Sequence, residues 1–200
     1  REDARAELGL GRDELIAAHI GRWVRWKGQD VFIRALTRVA QKIPNARGIV
    51  VGAWHREDER PGMLGGGEPY ANELCALAAQ LDAPITFAGF IRDPGLAYAA
   101  AEVVTHTSTL PEPFGRITIE AMMANRPVAA ANAGAQPEIV VPNETGLLTP
   151  PGDADALANA LVELFSSRAQ REAFGRAGYA RALEHFSLAL MTQRMQDSYR

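Results

Sequence analysis

Leu15-Ile16-Ala17-Ala18-His19-Ile20-Gly21 and Gly48-Ile49-Val50-Val51-Gly52 bracket the stretch whose reading decides the fold. Each is a short apolar run closed by glycine, the pattern of a strand buried on both faces. Between them Val31, Ile33, Leu36, Val39, Ala40 and Ile43 recur at helical spacing across 29–43, and Pro44-Asn45 stops the helix. Strand, crossover helix and strand in that order predict parallel pairing. The alternation continues outward. A helix is expected over 70–81 (Leu74, Leu77, Ala78, Leu81), and a strand at Ile85-Thr86-Phe87 closed by Gly89. An alanine-rich helix follows over 94–101 with Pro94 in its first turn, then a strand at Val103-Val104-Thr105-His106. A helix over about 115–125, a strand at Pro127-Val128-Ala129-Ala130-Ala131 and a last one at Gly146-Leu147-Leu148-Thr149 complete the series. Helices then take over: one capped by Asp153 with Leu157, Leu161, Leu164 and Phe165 as its buried stripe, one over 168–184, and one capped by Ser187. Residues 53–69, with Gly65-Gly66-Gly67, read as a mobile surface loop inside this alternation.

The expected class is therefore α/β: one domain over 1–200 with a Rossmann-like parallel sheet and helices on both faces. Ligands of such sheets sit beyond the carboxyl ends of the strands, which directs attention to the loops after Ile20, Val51, Phe87, His106 and Ala131.

Composition narrows the function. With 47% hydrophobic residues and 21 basic against 24 acidic side chains, the chain has the means to bury a core and is not a disordered polyelectrolyte. A net charge of −3 argues against a nucleic-acid partner. A single cysteine, Cys75, excludes an internal disulfide framework and a cysteine-rich zinc site. No apolar run is long enough to span a bilayer, and Arg1-Glu2-Asp3-Ala4-Arg5 has no signal-peptide core, so a cytoplasmic setting is the expectation. A G-x-G-x-x-G turn, a Walker A lysine motif and a G-x-S-x-G elbow are all missing. The four histidines lack metal-ligand spacing, and no metal is expected. Asn143-Glu144-Thr145 matches a glycosylation acceptor but reads as a turn with Gly146.

Two segments carry chemistry. In Glu112-Pro113-Phe114-Gly115-Arg116-Ile117-Thr118-Ile119-Glu120-Ala121-Met122, one glutamate lies in a loop after a strand, and the other lies in the helix that follows. Pro113 and Gly115 shape the turn, so the N–H groups near Phe114, Gly115 and Arg116 form an anion site at a helix start. Glu120 stands among apolar neighbours and needs partners, which ribose hydroxyls would supply. Arg116, four residues earlier, is the competing partner, and Glu112 is equally readable as a solvated loop acid. The second segment, Gly21-Arg22-Trp23-Val24-Arg25-Trp26-Lys27-Gly28, sits between the first strand and the first helix. Arg22 and Lys27 there suit a diphosphate, and a solvated basic loop is the plain alternative.

Taken together and in order, these segments resemble the C-terminal half of glycosyltransferase family 4, retaining enzymes of the two-domain GT-B architecture. Gly21 to Gly28 looks like the family's phosphate loop, and Phe87-Ala88-Gly89-Phe90 like the loop on which the base lies. Ser108 to Glu120 looks like its E-x7-E segment. Asn132-Ala133-Gly134-Ala135-Gln136-Pro137-Glu138 and Gly146 to Asp153 look like the two segments that follow. The resemblance implies that Glu112 holds donor-sugar hydroxyls and Glu120 the ribose. It implies that Arg22, Lys27, Gly21 and the amides at Phe114, Gly115 and Arg116 hold the diphosphate without a metal. Ile91 would touch the base and Gly134 would lie near the sugar. Ala135 departs from the second glycine usual there.

The expected function is the donor-binding domain of a retaining glycosyltransferase. It would take a UDP- or GDP-sugar and meet an acceptor glycan or lipid through an N-terminal domain that this chain lacks. Such an enzyme would build bacterial surface or storage glycan in the cytoplasm or at the inner face of the membrane. A non-catalytic nucleotide-binding module is the alternative, and a sugar-nucleotide epimerase fits less well. Leu188, Met191, Met195 and Tyr199 share one face of the last helix over about 188–199, a candidate contact with the missing domain or with a second copy.

Overall fold

A computed structural model describes residues 1–54 and 67–199. The six strands of the described residues form one parallel sheet, β1 (Leu15–Ile20), β2 (Ala46–Val51), β3 (Ile85–Gly89), β4 (Val103–His106), β5 (Val128–Ala131) and β6 (Gly146–Thr149), in the spatial order β3-β2-β1-β4-β5-β6. This is a doubly wound α/β sheet, and its topological switch lies between β1 and β4, where His19 sits opposite Thr105. The ligand crevice of such a sheet opens there.

Successive strand residues point to opposite faces, and the core divides accordingly. Ala17, Val50, Val103, Ala129 and Leu147 face one way, against α2 (Gln29–Lys42), α3 (Gly67–Gln80) and α7 (Ala154–Ser166), with Phe32, Leu36, Leu74, Leu161 and Leu164 filling the layer. Ile16, Ala18, Ile49, Val51, Val104 and Ala130 face the other way, against α4 (Gly95–Ala100), α5 (Arg116–Met123) and α8 (Arg168–Phe186), with Tyr98, Met122 and Ala182. The predominance of apolar residues in the strands follows from burial on both sides.

The sequence expectations hold for every strand and for the main helices, with differences at the edges. Pro94 is the N-cap of α4 rather than a residue of its first turn. The helix expected from residue 70 starts at Gly67, so 67–69 are helical and not loop. The rest of the expected loop, 55–66, lies outside the described residues. Asp153 and Ser187 cap α7 and α9 (Leu188–Ser198) as expected, accepting from Ala156 N at 2.9 Å and Leu190 N at 3.4 Å. Leu188, Met195 and Tyr199 are exposed, and the Met191 side chain is outside what the structure describes. Among the described residues no helix is long and apolar enough to cross a membrane.

Two helices were not foreseen. One is α6 (Gln136–Ile139), a single turn. The other is α1 (Glu2–Glu7), whose charge hid its role, because one of those charges is inside. Arg5 is buried, and one guanidinium nitrogen, Nη2, donates to both carboxylate oxygens of Glu102 at 2.9 and 2.7 Å. The same side chain donates to the carbonyls of Ala100 and Arg12, and Glu102 also accepts the Ile16 amide at 2.6 Å. One ion pair thus ties α1 to the starts of β1 and β4.

Candidate functional site

The segment after β1 turns through a 3-10 turn at Arg25–Lys27 into α2, and β4 clamps that turn. The Thr107 hydroxyl lies 2.8 Å from the Lys27 carbonyl, and His19 Nε2 stands 3.1 Å from the same oxygen. Lys27 Nζ lies 4.5 Å above the Trp26 ring. His19 is buried, which pushes its pKa down to about 4, and its Nδ1 has no partner among the described residues. The neutral ring is therefore the folded form. Between pH about 6.5 and 4 the unfolded chain takes up a proton that the folded chain refuses, so stability falls as pH falls. The loss is about 3 kcal/mol when the window has been crossed. His19→Gln keeps a donor for Lys27 and is expected to remove that part of the acid sensitivity. Urea unfolding at pH 7 and pH 4.5 measures it, and equal pH slopes in both proteins would overturn it.

Lys27 reaches across to Glu112, with Nζ 2.6 Å from Oε1. The Ser108 hydroxyl donates to the same oxygen. His106 Nε2 stands 2.8 Å from it, though not in line with a ring N–H. Burial alone would raise the Glu112 carboxyl, but His106, Lys27 and Ser108 outweigh it and hold it at about 2. The glutamate is therefore an anion at any working pH, and the expectation of a solvated loop acid is corrected. Its second oxygen, Oε2, has no partner among the described residues. The main chain beneath is held by the segment after β5. The Ala135 amide donates to the Glu112 carbonyl at 2.9 Å, and Gly134 lies so close that a Cβ there would stand 2.5 Å from Glu112 N. Gly134 thus packs under the Glu112 loop, and the methyl of Ala135 leaves that backbone contact intact.

Gly115 starts α5 at φ 70° with no side-chain cap. The left-handed turn favours glycine, and a Cβ there would also push against the Gln136 side-chain amide, 2.1 Å from Nε2. Gln136 is buried, accepts the Thr118 hydroxyl at 2.7 Å, and locks the first turn of the helix. The uncapped amides at that end remain available to an anion.

One turn further, Glu120 borders a cavity of about 400 Å³ beyond the ends of β1, β2 and β3. Gly21, Arg22, Ile91, Arg116 and Glu120, all picked from the sequence, line it together with Phe90 and Arg92. Arg22, Arg116 and Phe90 are exposed at its rim. Glu120 does not pair with Arg116 among the described residues. Its Oε2 instead accepts the Tyr98 hydroxyl at 2.6 Å, which corrects the ion-pair alternative. Burial and the Glu120 carboxylate push the Tyr98 phenol up, so it stays a protonated donor. Lys27 and Glu112 do not line this cavity, but Gly21 adjoins both places: it lines the cavity, and a Cβ built on it would stand 3.9 Å from the Lys27 side chain. The exposed Phe114 is not among the cavity's lining residues and stands on the loop between the two clusters.

Sequence reading missed Tyr98, His106, Ser108 and Arg92. His106 and Ser108 were findable, because they end β4 on the ligand edge. Tyr98 was not, since an alanine-rich helix gives no sign of what its single phenol faces. A larger cavity, about 560 Å³, lies between α2 and α3, away from these groups, and its Arg25 is paired with Glu73 at 2.6 Å. No group of three or more metal-ligating side chains occurs among the described residues.

Residues 1–181 match the family model described as glycosyl transferases group 1. The chain belongs to the glycosyl transferases group 1 family. A D-inositol 3-phosphate glycosyltransferase of Mycobacterium avium is 36% identical over the whole of this chain. The group 1 chain covers 45% of that protein, and spans about half or less of the length of the other curated relatives it matches first. Anabaena HepE, solved in complex with UDP-glucose, superposes with a TM-score of 0.87 at 32% identity, over 99% of this chain and 51% of that one. The C-terminal domain of the group 1 protein LpcC from Francisella tularensis, a structure of nearly the same extent, superposes with a TM-score of 0.79 at 28% identity, covering 94% of this chain and 93% of that one. The group 1 chain thus has the Rossmann-like architecture of GT-B glycosyltransferase structures and corresponds to their C-terminal domain.

Proposed function

We propose that this chain is the donor-binding domain of a retaining glycosyltransferase of family 4, acting with an N-terminal domain that binds the acceptor glycan or lipid. The observation that carries the reading is the adjacency of two sites: Gly21 lines the cavity beside Glu120 and also borders Lys27, which pairs with Glu112. A nucleoside fits the first, with ribose hydroxyls donating to Glu120 and the base over Ile91 and Phe90. The diphosphate spans Gly21, Arg22, Lys27 and the α5 amides at Phe114, Gly115 and Arg116. The sugar then reaches Glu112, with Gly134 behind the loop. Arg22, Lys27 and the α5 amides stabilise the diphosphate as its bond to the sugar breaks, an electrostatic role that the protein's own cations supply without a metal. HepE, bound to UDP-glucose, supports a UDP-sugar as the first donor to test. GDP-sugars are the alternative donors, in synthesis of bacterial polysaccharide or lipopolysaccharide by a cytoplasmic or membrane-peripheral enzyme.

UDP or GDP at one hundred times its Kd is expected to raise Tm by roughly 5–10 °C, the equivalent of about 2.7 kcal/mol, with one base strongly preferred. Glu120→Ala is expected to abolish the shift. Absence of a shift with either nucleotide, in a chain shown to be folded, would overturn the reading.

A further inference from the structure

We infer that Tyr98 is a positioning residue for recognition of the donor's ribose, acting through Glu120. The inference rests on the reading of the Glu120 cavity as the nucleoside site. Tyr98 lies on α4, is 5% exposed and takes its place in the apolar layer with Ile20, Val51 and Ala121. Its hydroxyl is the one polar group it carries into that layer, and it is spent on Glu120 Oε2 at 2.6 Å. Tyr98 does not line the cavity, so it acts from behind the carboxylate.

The chemistry of the partner matters. A lysine or arginine in this place would orient Glu120 but also neutralise it, and a neutralised carboxylate is a weaker acceptor for a hydroxyl. A phenol is neutral. It occupies one oxygen, halts rotation of the carboxylate and leaves Oε1, which has no partner among the described residues, with its charge undiminished. Arg116 stands at the cavity rim, and the partner of Glu120 among the described residues is Tyr98 and not Arg116. A carboxylate fixed through one lone pair of Oε2 still offers Oε1 and the second lone pair of Oε2, one acceptor for each hydroxyl of a diol held in one orientation. Without Tyr98, Glu120 would lose rotational restraint and the entropy cost of fixing it would fall on nucleotide binding.

The test is a discrimination ratio, not an affinity alone. Binding of UDP and of 2′,3′-dideoxy-UDP is measured by calorimetry on the unaltered chain, Tyr98→Phe, Glu120→Gln and the double variant, with GDP and its dideoxy form in parallel. The unaltered chain is expected to prefer the ribonucleotide by at least about tenfold. Tyr98→Phe is expected to reduce that preference about fivefold, with dideoxynucleotide affinity unchanged. In the Glu120→Gln background the Tyr98 change is expected to do nothing more. 4-Aminophenylalanine at position 98, which keeps a donor, is expected to restore the preference. Should Tyr98→Phe fail to fold, 4-fluorophenylalanine fills the hydroxyl's volume without a donor and takes its place. Equal weakening of both ligands by Tyr98→Phe, or no change in the ratio, overturns the inference while leaving the nucleoside site standing. No nucleotide binding, or no ribose preference in the unaltered chain, overturns both.

Discussion

Glu112→Gln is expected to tighten binding of the free nucleoside diphosphate by about tenfold while lowering sugar transfer by the two-domain enzyme by roughly 10²–10³. The two effects have opposite signs because the proposed function gives Glu112 two roles in sequence. In the free chain its carboxylate holds Lys27 at 2.6 Å, inside a site where the two side chains are only 12% and 17% exposed. The lysine is thus already partnered when a diphosphate arrives, and the diphosphate meets a fixed negative charge beside it. That charge persists at all working pH values, since His106, Lys27 and Ser108 hold the carboxyl at about 2 against the effect of burial. Two like charges about 4 Å apart at a partly buried site repel by a few kcal/mol, of which a tenfold gain in affinity requires only about 1.4 kcal/mol. Glutamine retains the shape and an acceptor for Ser108 but releases Lys27. On the proposed reading the same charge meets the donor sugar in the reaction, and the expected loss is set by analogy with removal of one polar group that stabilises a transition state, about two to three orders of magnitude. Calorimetry with UDP or GDP and an initial-rate assay on the full-length protein separate the two. Weaker diphosphate binding in Glu112→Gln would mean that the Lys27–Glu112 contact assists the ligand rather than competing with it.

Loss of either partner in the Arg5–Glu102 pair is the largest stability effect expected anywhere in the described chain. Both side chains are buried, at 4% and 8% exposure. Glu102→Ala leaves the Arg5 guanidinium without its carboxylate and the Ile16 amide without its acceptor, and Arg1 loses the same contact. Removing one member of a buried pair costs about 3–5 kcal/mol, because the survivor remains desolvated and uncompensated. Against a domain stability of about 5–15 kcal/mol this is a fifth or more, and for a chain of this size it corresponds to a fall in Tm of roughly 6–20 °C. Arg5→Lys is expected to recover little. A single ammonium cannot reproduce the planar set of donors in which Nη2 meets Glu102 while Nε and Nη1 donate to the carbonyls of Ala100 and Arg12. Thermal unfolding followed by circular dichroism measures both. A change in Tm under about 3 °C in Glu102→Ala would show that water or a neighbouring arginine takes over the pair.

How much of this was legible beforehand depends on the range over which each signal acts. The run 15–52 declares strand, helix and strand because hydrophobic periodicity is local: each side chain reports the face it will bury, whatever lies beyond. The residues at the carboxyl ends of those strands follow from the same logic. Gly21, Arg22, Ile91, Arg116 and Glu120 meet at one cavity as their places in the alternation require. The cap at Asp153 is equally local, an oxygen and the amides two and three residues on. The helix α1 was not foreseen, because composition does not tell a paired charge such as Arg5 from a solvated one.

What tertiary structure alone decided is the pairing of side chains far apart in the chain. Lys27 meets Glu112, Tyr98 meets Glu120 and Arg5 meets Glu102 because the sheet places β1 beside β4 and because α4 and α5 lie together on one face. Strand order is set by how the helices pack on both faces, and by the directions that burial imposes on each rotamer. None of that is written in the spacing of residues along the chain. The sequence by itself determined which elements form, and which of their ends carry polar chemistry. Only the packed sheet determined that Glu112 is already occupied by a cation and that Glu120 is held by a neutral donor, and those two facts decide how the site meets its ligand.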